Sequence, residues 1–241
     1  MNMVCYLSVA FLLWAFKLAT PAGEAANFGM SDKHQAAGWE ILFDGSSVEK
    51  WRGKSQAAFP SEGWKVEDGV LFLDGRGGDI MTRDTYSNFE LTFDFKLTEG
   101  ANSGVKYFVD TLVSSEDNHI MVNGPEYQII DDYNHPEVKK HGDDLISTGS
   151  FYLMYAPKGK KLNPAGQWNT GQIIVRGSNV EHWLNGSKVV TYQRGSKDFL
   201  EKKAKTKFKN DAQYGELERG HILLTDHHDR VYFRNIKIRR L

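Results

Sequence analysis

The stretch Phe89–Leu97, FELTFDFKL, alternates apolar and polar residues without interruption. Successive side chains of a β-strand point to opposite faces, so its phenylalanines and leucines share one face and its charged residues share the other. A strand with one apolar and one polar face is typical of an antiparallel sheet that covers a core on one side. We therefore predict an all-β fold organised around this strand.

The rest of the chain repeats this pattern in short segments. The dipeptides Asp68-Gly69 and Asn185-Gly186 each lie between two such segments and predict tight hairpins. Many short strands with glycine-rich turns are typical of a β-sandwich or jelly roll. The other predicted strands are Trp39–Phe43, Trp64–Glu67, Val70–Leu73, Gly104–Asp110, Phe151–Tyr155, Asn169–Arg176, Val180–Leu184, Lys188–Tyr192, Ile222–Thr225 and Val231–Ile238.

Two segments lack the alternation. Residues Asp132–Ser147 carry two histidines and several acids and are predicted as a long loop. Residues Lys197–Lys209 are rich in lysine, with Phe199, Leu200 and Phe208 as apolar anchors. These lysines could bind nucleic acid, but nucleic-acid-binding proteins are usually basic. The formal net charge of this chain of 241 residues is −1, which argues against such a patch. We predict a short solvated helix over the sandwich edge and no nucleic-acid partner.

The N-terminus is predicted to be an export signal. Val4–Phe16 is an apolar run too short to span a bilayer, and Gly23-Glu24-Ala25 suits cleavage. No Lys or Arg precedes the run, so a buried N-terminal segment or an uncleaved anchor is the alternative. We expect residues 1–25 to be a signal peptide, with a single domain over 26–241 in the periplasm or outside the cell. The only cysteine, Cys5, then leaves the mature chain without disulfides or a thiol nucleophile.

The stretch Gly124–Asp132, GPEYQIIDD, places ionisable groups on a strand. Glu126 and Gln128 share one face, opposite Tyr127. A buried carboxylate and amide need partners, because leaving them unpaired costs several kcal/mol. The partner is either a polar ligand or a catalytic network. Asp131 lies five residues after Glu126 and so on the other face, about 16 Å away, which does not suit a paired-carboxylate glycosidase.

A second polar strand face is predicted at Val180–Tyr192. Glu181, Trp183 and Asn185 line up on one side, while His182 shares the other with apolar residues. Trp183 could stack on a sugar ring between its two polar neighbours, although core packing is the commoner fate of tryptophan. Asn185-Gly186-Ser187 matches a glycosylation acceptor, but the predicted hairpin turn accounts for this match.

The loop Thr225–Asp229, TDHHD, lies between two predicted strands. A histidine beside a carboxylate suits a general base near neutral pH, which makes Asp226 and His227 candidates. Adjacent histidines do not have a chelating spacing, so a metal is weakly indicated here. The alternative is a polar turn capped by its own aspartates.

Taken in order, the motifs resemble those of the 3-keto-disaccharide hydrolase family. They cover about residues 38–240 and are specific only as a set. The matching segments are Gly38–Gly45, Trp64–Leu71, Asn102–Val105, Gly124–Asp132, Val180–Gly186, Gly220–Ile222, Asp226-His227 and Phe233–Ile238. The resemblance implies a concanavalin-like jelly-roll sandwich, an exported protein, and action on sugars oxidised to a ketone at C3. An enzyme of this kind works with a sugar 3-oxidoreductase that makes its substrate.

The implied chemistry is elimination followed by hydration. It needs a base near C2, a donor for the C3 oxygen and an acid for the leaving group, and no cofactor. The resemblance assigns Glu126 or His182 as base and acid, with His227 held by Asp226 as an alternative base. Polar and stacking contacts to the sugar are expected from Asn102, Gln128, Asp131, Trp183, Asn185 and Arg234.

The chain departs from the family pattern at two places. His228 follows the Asp-His pair where relatives often have Gly, and Lys106-Tyr107 follows the segment Asn102–Val105. Two other functions stay open at this point. One is a lectin-like module of the same fold that binds carbohydrate without cleaving it. The other is a structural sandwich, which would leave the polar strand faces unexplained.

Overall fold

The computed structural model describes residues 38–113, 120–142 and 144–241. The predicted signal peptide and Cys5 lie outside these residues. Within the described part of the chain, no helix is long and apolar enough to cross a membrane.

Short strands connected by turns form most of the described structure. The strands are β1 (Trp39–Phe43), β2 (Trp51–Gly53), β3 (Trp64–Glu67), β4 (Val70–Leu73), β5 (Ile80–Thr82), β6 (Phe89–Leu97), β7 (Asn102–Val113), β8 (Ile120–Asn123), β9 (Glu126–Ile130), β10 (Trp168–Arg176), β11 (Asn179–Leu184), β12 (Ser187–Gln193), β13 (His221–Leu224) and β14 (Val231–Arg240). In the described residues they are accompanied by two short α-helices, α1 (Pro136–His141) and α2 (Lys197–Lys203), and by one turn of 3-10 helix at Asp144–Ile146.

These strands form two antiparallel sheets. The eight-stranded sheet has the order β12-β11-β10-β6-β14-β4-β3, with β1 paired to β14. The six-stranded sheet has the order β2-β5-β13-β7-β8, with β9 paired to β7. Residues from both sheets contribute to one continuous apolar core between them. The predicted all-β sandwich is thereby confirmed.

Strand β6 lies near the middle of the eight-stranded sheet, between β10 and β14. Phe89, Phe93 and Phe95 are at most 1% exposed, as the alternation predicts. Phe93 meets Tyr127 of β9 edge to face across the core, with ring centroids 5.4 Å apart. On the outer face of the sheet, Asp94 accepts a hydrogen bond from Asn235 at 2.7 Å. We use "outer face" for the side of each sheet turned away from the other sheet.

Three predictions of secondary structure need correction. Phe151–Tyr155 is a tight turn and not a strand: the backbones of Phe151 and Tyr155 bond each other in both directions, and Leu153 has φ 62°. Asp132–Ser147 contains α1, which begins at Pro136 after a His135 cap and is too short for a periodic pattern. Strands β2, β5 and β8, of three or four residues each, are not among the predicted strands, because so short a segment shows little alternation. The helix predicted within Lys197–Lys209 is confirmed as α2, which buries Phe199.

Candidate active site

The two faces of β9 have different surroundings. Tyr127 and Ile129 are fully buried in the core between the sheets. Glu126 and Gln128 alternate with them and therefore lie on the outer face of the six-stranded sheet. In the neighbouring strand β7, the residues opposite them are Lys106, which pairs with Glu126, and Gly104, which pairs with Gln128. These residues form the centre of the candidate site.

Glu126 is a buried carboxyl group without a hydrogen-bond partner on one oxygen. Its side chain is 7% exposed, and Oε1 has no partner among the described residues. Burial raises the pKa of Glu126 above its ordinary value of 4.5, and the charges of Lys106, His227 and Lys207 lower it by less. A carboxyl group with a raised pKa is suited to proton transfer at a pH closer to neutrality.

The space for this carboxyl group comes from a glycine. A Cβ atom at Gly104 would overlap Glu126 Oε1 and lie 2.9 Å from Glu126 Cδ, closer than any real contact. Gly104 also accepts a backbone hydrogen bond from Thr225 N at 3.0 Å, which ties β7 to the end of β13. The site therefore requires glycine at position 104, because a side chain there would displace the Glu126 carboxyl group.

Two amide side chains lie next to the carboxyl group. Gln128 Nε2 donates to Asn102 Oδ1 at 3.0 Å, and Asn102 N donates to Asp229 Oδ2 at 3.0 Å. The backbone of Gln128 is bonded on its other side to Gly149 and Ser150. Both amides are thus held in place before any ligand binds.

The loop after β13 forms one rim of the site. Asp226 accepts hydrogen bonds from the backbone N–H groups of Gly77 and Gly78, at 2.9 and 2.7 Å. Its other oxygen lies 3.1 Å from Nδ1 of His228. The predicted Asp226–His227 pair is therefore corrected: Asp226 holds His228, and His227 is exposed beside it.

His182 lies in the core and does not share a face with Glu126. It is fully buried, with Nε2 2.8 Å from Tyr107 Oη and Nδ1 3.1 Å from the Gly149 carbonyl oxygen. Because that carbonyl can only accept, Nδ1 carries the proton and Nε2 accepts from Tyr107. Burial lowers the pKa of His182 to about 4, so the ring is neutral at pH 7. This placement does not suit the predicted role of acid or base.

Trp183 and its neighbours lie on the opposite side of the sandwich. Trp183 Nε1 donates to Glu181 Oε2 at 2.8 Å, and Lys188 lies over the indole ring and 3.0 Å from Glu181 Oε1. These groups satisfy one another on the outer face of the eight-stranded sheet. Trp183 therefore does not join Glu126 in one site.

Three further residues predicted to contact the sugar interact with other parts of the fold instead. Arg234 lies over Trp168 at 4.0 Å and contacts Asp94, again on the outer face of the eight-stranded sheet. Asn185 has φ 48° in the predicted hairpin turn. Asp131 accepts hydrogen bonds from Gly100, Tyr133 and Asn134, which lower its pKa against the opposing effect of burial. None of the three is on the face that carries Glu126.

A groove on the described surface does not include Glu126 among its lining residues. This groove of 630 Å³ runs beside the edge strand β12, with Tyr155, Lys188 and Asp198 among its lining residues. Among the described residues, no group of three or more His, Cys, Asp and Glu side chains could hold a metal ion.

Fold and site together define a class: an antiparallel β-sandwich with a buried carboxyl group, amides and cationic side chains on the outer face of one sheet. Residues 38–239 match the family described as the 3-keto-alpha-glucoside-1,2-lyase-like domain. The chain belongs to this family.

Two relatives extend the match over most of the chain. The chain is 31% identical over 231 residues to a 3-keto-disaccharide hydrolase of Bacteroides thetaiotaomicron, covering 86% of this chain and 79% of that protein. It is also similar to a crystal structure from Parabacteroides distasonis, titled as that of a proposed glycosyl hydrolase. That match has 35% identity and a TM-score of 0.78, and covers 88% of this chain and 98% of the other.

A more distant structure agrees on the fold alone. A galectin-like protein from Bacillus subtilis superposes with a TM-score of 0.51 at 13% identity, over 80% of this chain and 90% of that one. The predicted concanavalin-like jelly roll is thus confirmed. Family membership supports a hydrolase acting on glycosides as the class of protein.

Proposed function

We propose that the protein cleaves 3-keto-glycosides at the outer face of the six-stranded sheet, by elimination and hydration around Glu126. One observation carries the proposal: on a face with fixed amides, Glu126 is 7% exposed, its pKa is raised, and its Oε1 has no hydrogen-bond partner in the described part of the chain. A buried unpaired carboxyl group costs several kcal/mol of stability, which a purely structural sandwich has no reason to retain. The relative named as a 3-keto-disaccharide hydrolase supports the same substrate class.

The chemistry needs only proton transfers. The ketone at C3 acidifies the C2 hydrogen, so a base removes that proton and the electron pair moves onto the C3 oxygen. The pair then returns, the C1–O bond breaks, a C1=C2 double bond forms, and the leaving oxygen takes a proton. Water adds at C1 and a proton at C2, which gives the free 3-keto sugar and an alcohol: net hydrolysis without a redox step.

Glu126 is assigned as the base that takes the C2 proton, since burial makes its carboxylate more basic. Gln128 and Asn102 are assigned to the sugar hydroxyl groups. His227 is assigned to protonate the leaving oxygen, because it is exposed at the rim and its charge acts on Glu126. A base and an acid on separate elements do not require the paired carboxylates of other glycosidases.

The proposal also covers where the protein acts and how its substrate is made. We propose that residues 1–25 direct export, so that cleavage takes place in the periplasm or outside the cell. The substrate then has to come from a sugar 3-oxidoreductase, because a 3-keto-glycoside arises by oxidation of the C3 hydroxyl group.

The test is incubation of the purified protein with 3-keto-trehalose and 3-keto-glucosides, with and without EDTA, followed by assay of released 3-keto-glucose. Glu126→Gln should lower turnover by about 100-fold or more. Glu181→Gln is the matched control, since Glu181 is a partly buried strand glutamate on the other outer face. Binding without release, by wild type and Glu126→Gln alike, would instead indicate a lectin-like module.

A further inference from the structure

Beside Glu126 lies a lysine that has no charged partner among the residues the structure describes. Lys106 is half-buried on β7, directly opposite Glu126 in the register, and shares its outer face. Its ammonium group forms no ion pair or hydrogen bond with residues 38–110, 123–142 or 144–241. Among the charged groups that act on the Glu126 carboxyl, Lys106 has the largest effect. Its ammonium group therefore has donors to offer to a ligand in contact with Glu126.

The spacing of the two side chains suits adjacent carbons of one sugar ring. Directly opposed residues of an antiparallel pair have Cβ atoms about 4.5–5.5 Å apart. A base at C2 and a donor at the C3 oxygen act on neighbouring atoms, and so must approach from two points a few Å apart on the same side of the ligand. Glu126 and Lys106 meet this requirement from two hydrogen-bonded strands.

The other cations near Glu126 are placed less well. Lys207 is exposed, and its Nζ lies over the rings of Tyr152 and Phe208, at 4.9 and 5.3 Å. His227 is exposed on a loop. Lys106 is on a strand whose backbone is bonded on both sides, by β9 and β13. It is the cation whose position the sheet fixes.

We propose that Lys106 is a catalytic residue that binds the C3 oxygen of the substrate and stabilises the negative charge that develops there. This inference rests on the proposed function. When Glu126 takes the C2 proton, the electron pair moves to the C3 oxygen, and the Lys106 ammonium group donates a hydrogen bond to that oxygen. No proton is lost from Lys106, and the bond weakens again when the pair returns to expel the leaving group. A fixed cation at a developing oxyanion is worth about 100- to 1,000-fold in rate.

The experiment separates proton removal from cleavage. A 1,5-anhydro sugar with a ketone at C3 has only the ring oxygen at C1 and no glycosidic leaving group, so exchange of its C2 hydrogen in D2O can be followed by NMR. Its C4 hydrogen, which is also next to the ketone, is the internal reference. The full-length protein is compared with Lys106→Met, Lys106→Arg and the control Lys188→Met, whose lysine is on the other outer face. Thermal unfolding is recorded for each variant.

Lys106→Met should lower C2 exchange and cleavage of 3-keto-glucosides by the same factor, about 100-fold or more. Lys106→Arg should restore part of both rates, and Lys188→Met should match wild type. Unchanged C2 exchange in Lys106→Met, with wild type active, would overturn the assignment. Trapping of a covalent adduct on Lys106 by borohydride would overturn it too, since the amine would then react with the ketone as an imine. A wild-type protein that neither exchanges nor cleaves would refute the proposed function itself.

Discussion

The carboxylate of Glu126 lies in the space that a side chain at Gly104 would occupy. A Cβ atom added to Gly104 would come within 2.9 Å of both Cγ and Cδ of Glu126 and would overlap its Oε1. The two residues are on neighbouring strands, so the fit is set by the register of β7 against β9. The position of the candidate base therefore depends on a residue that has no functional group.

Gly104→Ala should abolish most activity while leaving the protein folded. The atoms that the new methyl group meets belong to the Glu126 side chain, which can rotate away without moving the backbone. A base displaced by about 1 Å loses on the order of 100-fold in rate. The measurement is kcat/KM on 3-keto-glucosides together with the unfolding midpoint. Gly186→Ala, in a hairpin turn on the other sheet, is the control for destabilisation, because Gly186 has φ 77°. Full activity in Gly104→Ala would show that the position of the Glu126 carboxylate is unimportant.

The raised pKa of Glu126 should make the folded protein less stable as pH rises. Between 4.5 and the raised value, the folded state holds a proton that the unfolded state has released, so stability falls as pH increases through this window. Each pKa unit of difference is worth about 1.4 kcal/mol. Glu126→Gln removes this effect. Its unfolding midpoint should rise relative to wild type between pH 4 and pH 7, as measured by thermal unfolding in both proteins. A constant difference between the two proteins would contradict the raised pKa.

The buried His182 should destabilise the protein in acid. Its pKa is lowered to about 4 from an ordinary 6.5, so the unfolded state takes up a proton that the folded state does not. Stability is then lost as pH falls from about 6.5 to about 4, by up to about 3 kcal/mol. Urea unfolding of wild type and His182→Gln at pH 7, 5.5 and 4.5 tests this. The variant should be less stable at pH 7, yet lose less between pH 7 and 4.5. An exposed histidine variant, His227→Gln, is the matched control.

His227 and His228 should differ in their effects. His227 is assigned to the leaving oxygen, so His227→Asn should lower kcat by about 100-fold with an unchanged unfolding midpoint. His228 contacts Asp226, which holds the backbone of Gly77 and Gly78. His228→Asn should therefore change kcat by less than about threefold, as an exposed structural residue does. The reverse order of kcat values would transfer the proposed role to His228.

The core of the sandwich is predictable from the sequence. The alternation in β6 identifies which of its side chains are buried, and Asp68-Gly69 and Asn185-Gly186 both adopt the left-handed conformations of tight hairpins. These features are local and follow from strand geometry alone. Strand β2, with three residues, and helix α1, with six, are too short for an alternating or helical pattern to repeat, so the sequence does not reveal them.

The site is only partly predictable. The sequence places Glu126 and Gln128 on one face of a strand, and the structure agrees. It also places Glu181 and Trp183 on one face of another strand. The sequence does not predict to which sheet that strand belongs, and in the structure the two polar faces point away from each other. The strand register brings Gly104 next to the Glu126 carboxyl group, so the residue type at position 104 does not by itself indicate this role. His182 shows the limit of residue type as a guide: its neighbours in the alternation are apolar, and it is buried with them.

The division of β9 into a core face and a site face restricts how this protein can evolve. Inserting or deleting one residue between Glu126 and Ile129 would reverse the faces on one side of the change, so Glu126 and Gln128 could not share the outer face while Tyr127 and Ile129 share the core. A single length change of this kind would therefore impair both folding and activity. Loops that follow the strand, such as residues 135–142, are free of this double requirement. Descendants with new sugar preferences should therefore differ in these loops and keep the length of β9.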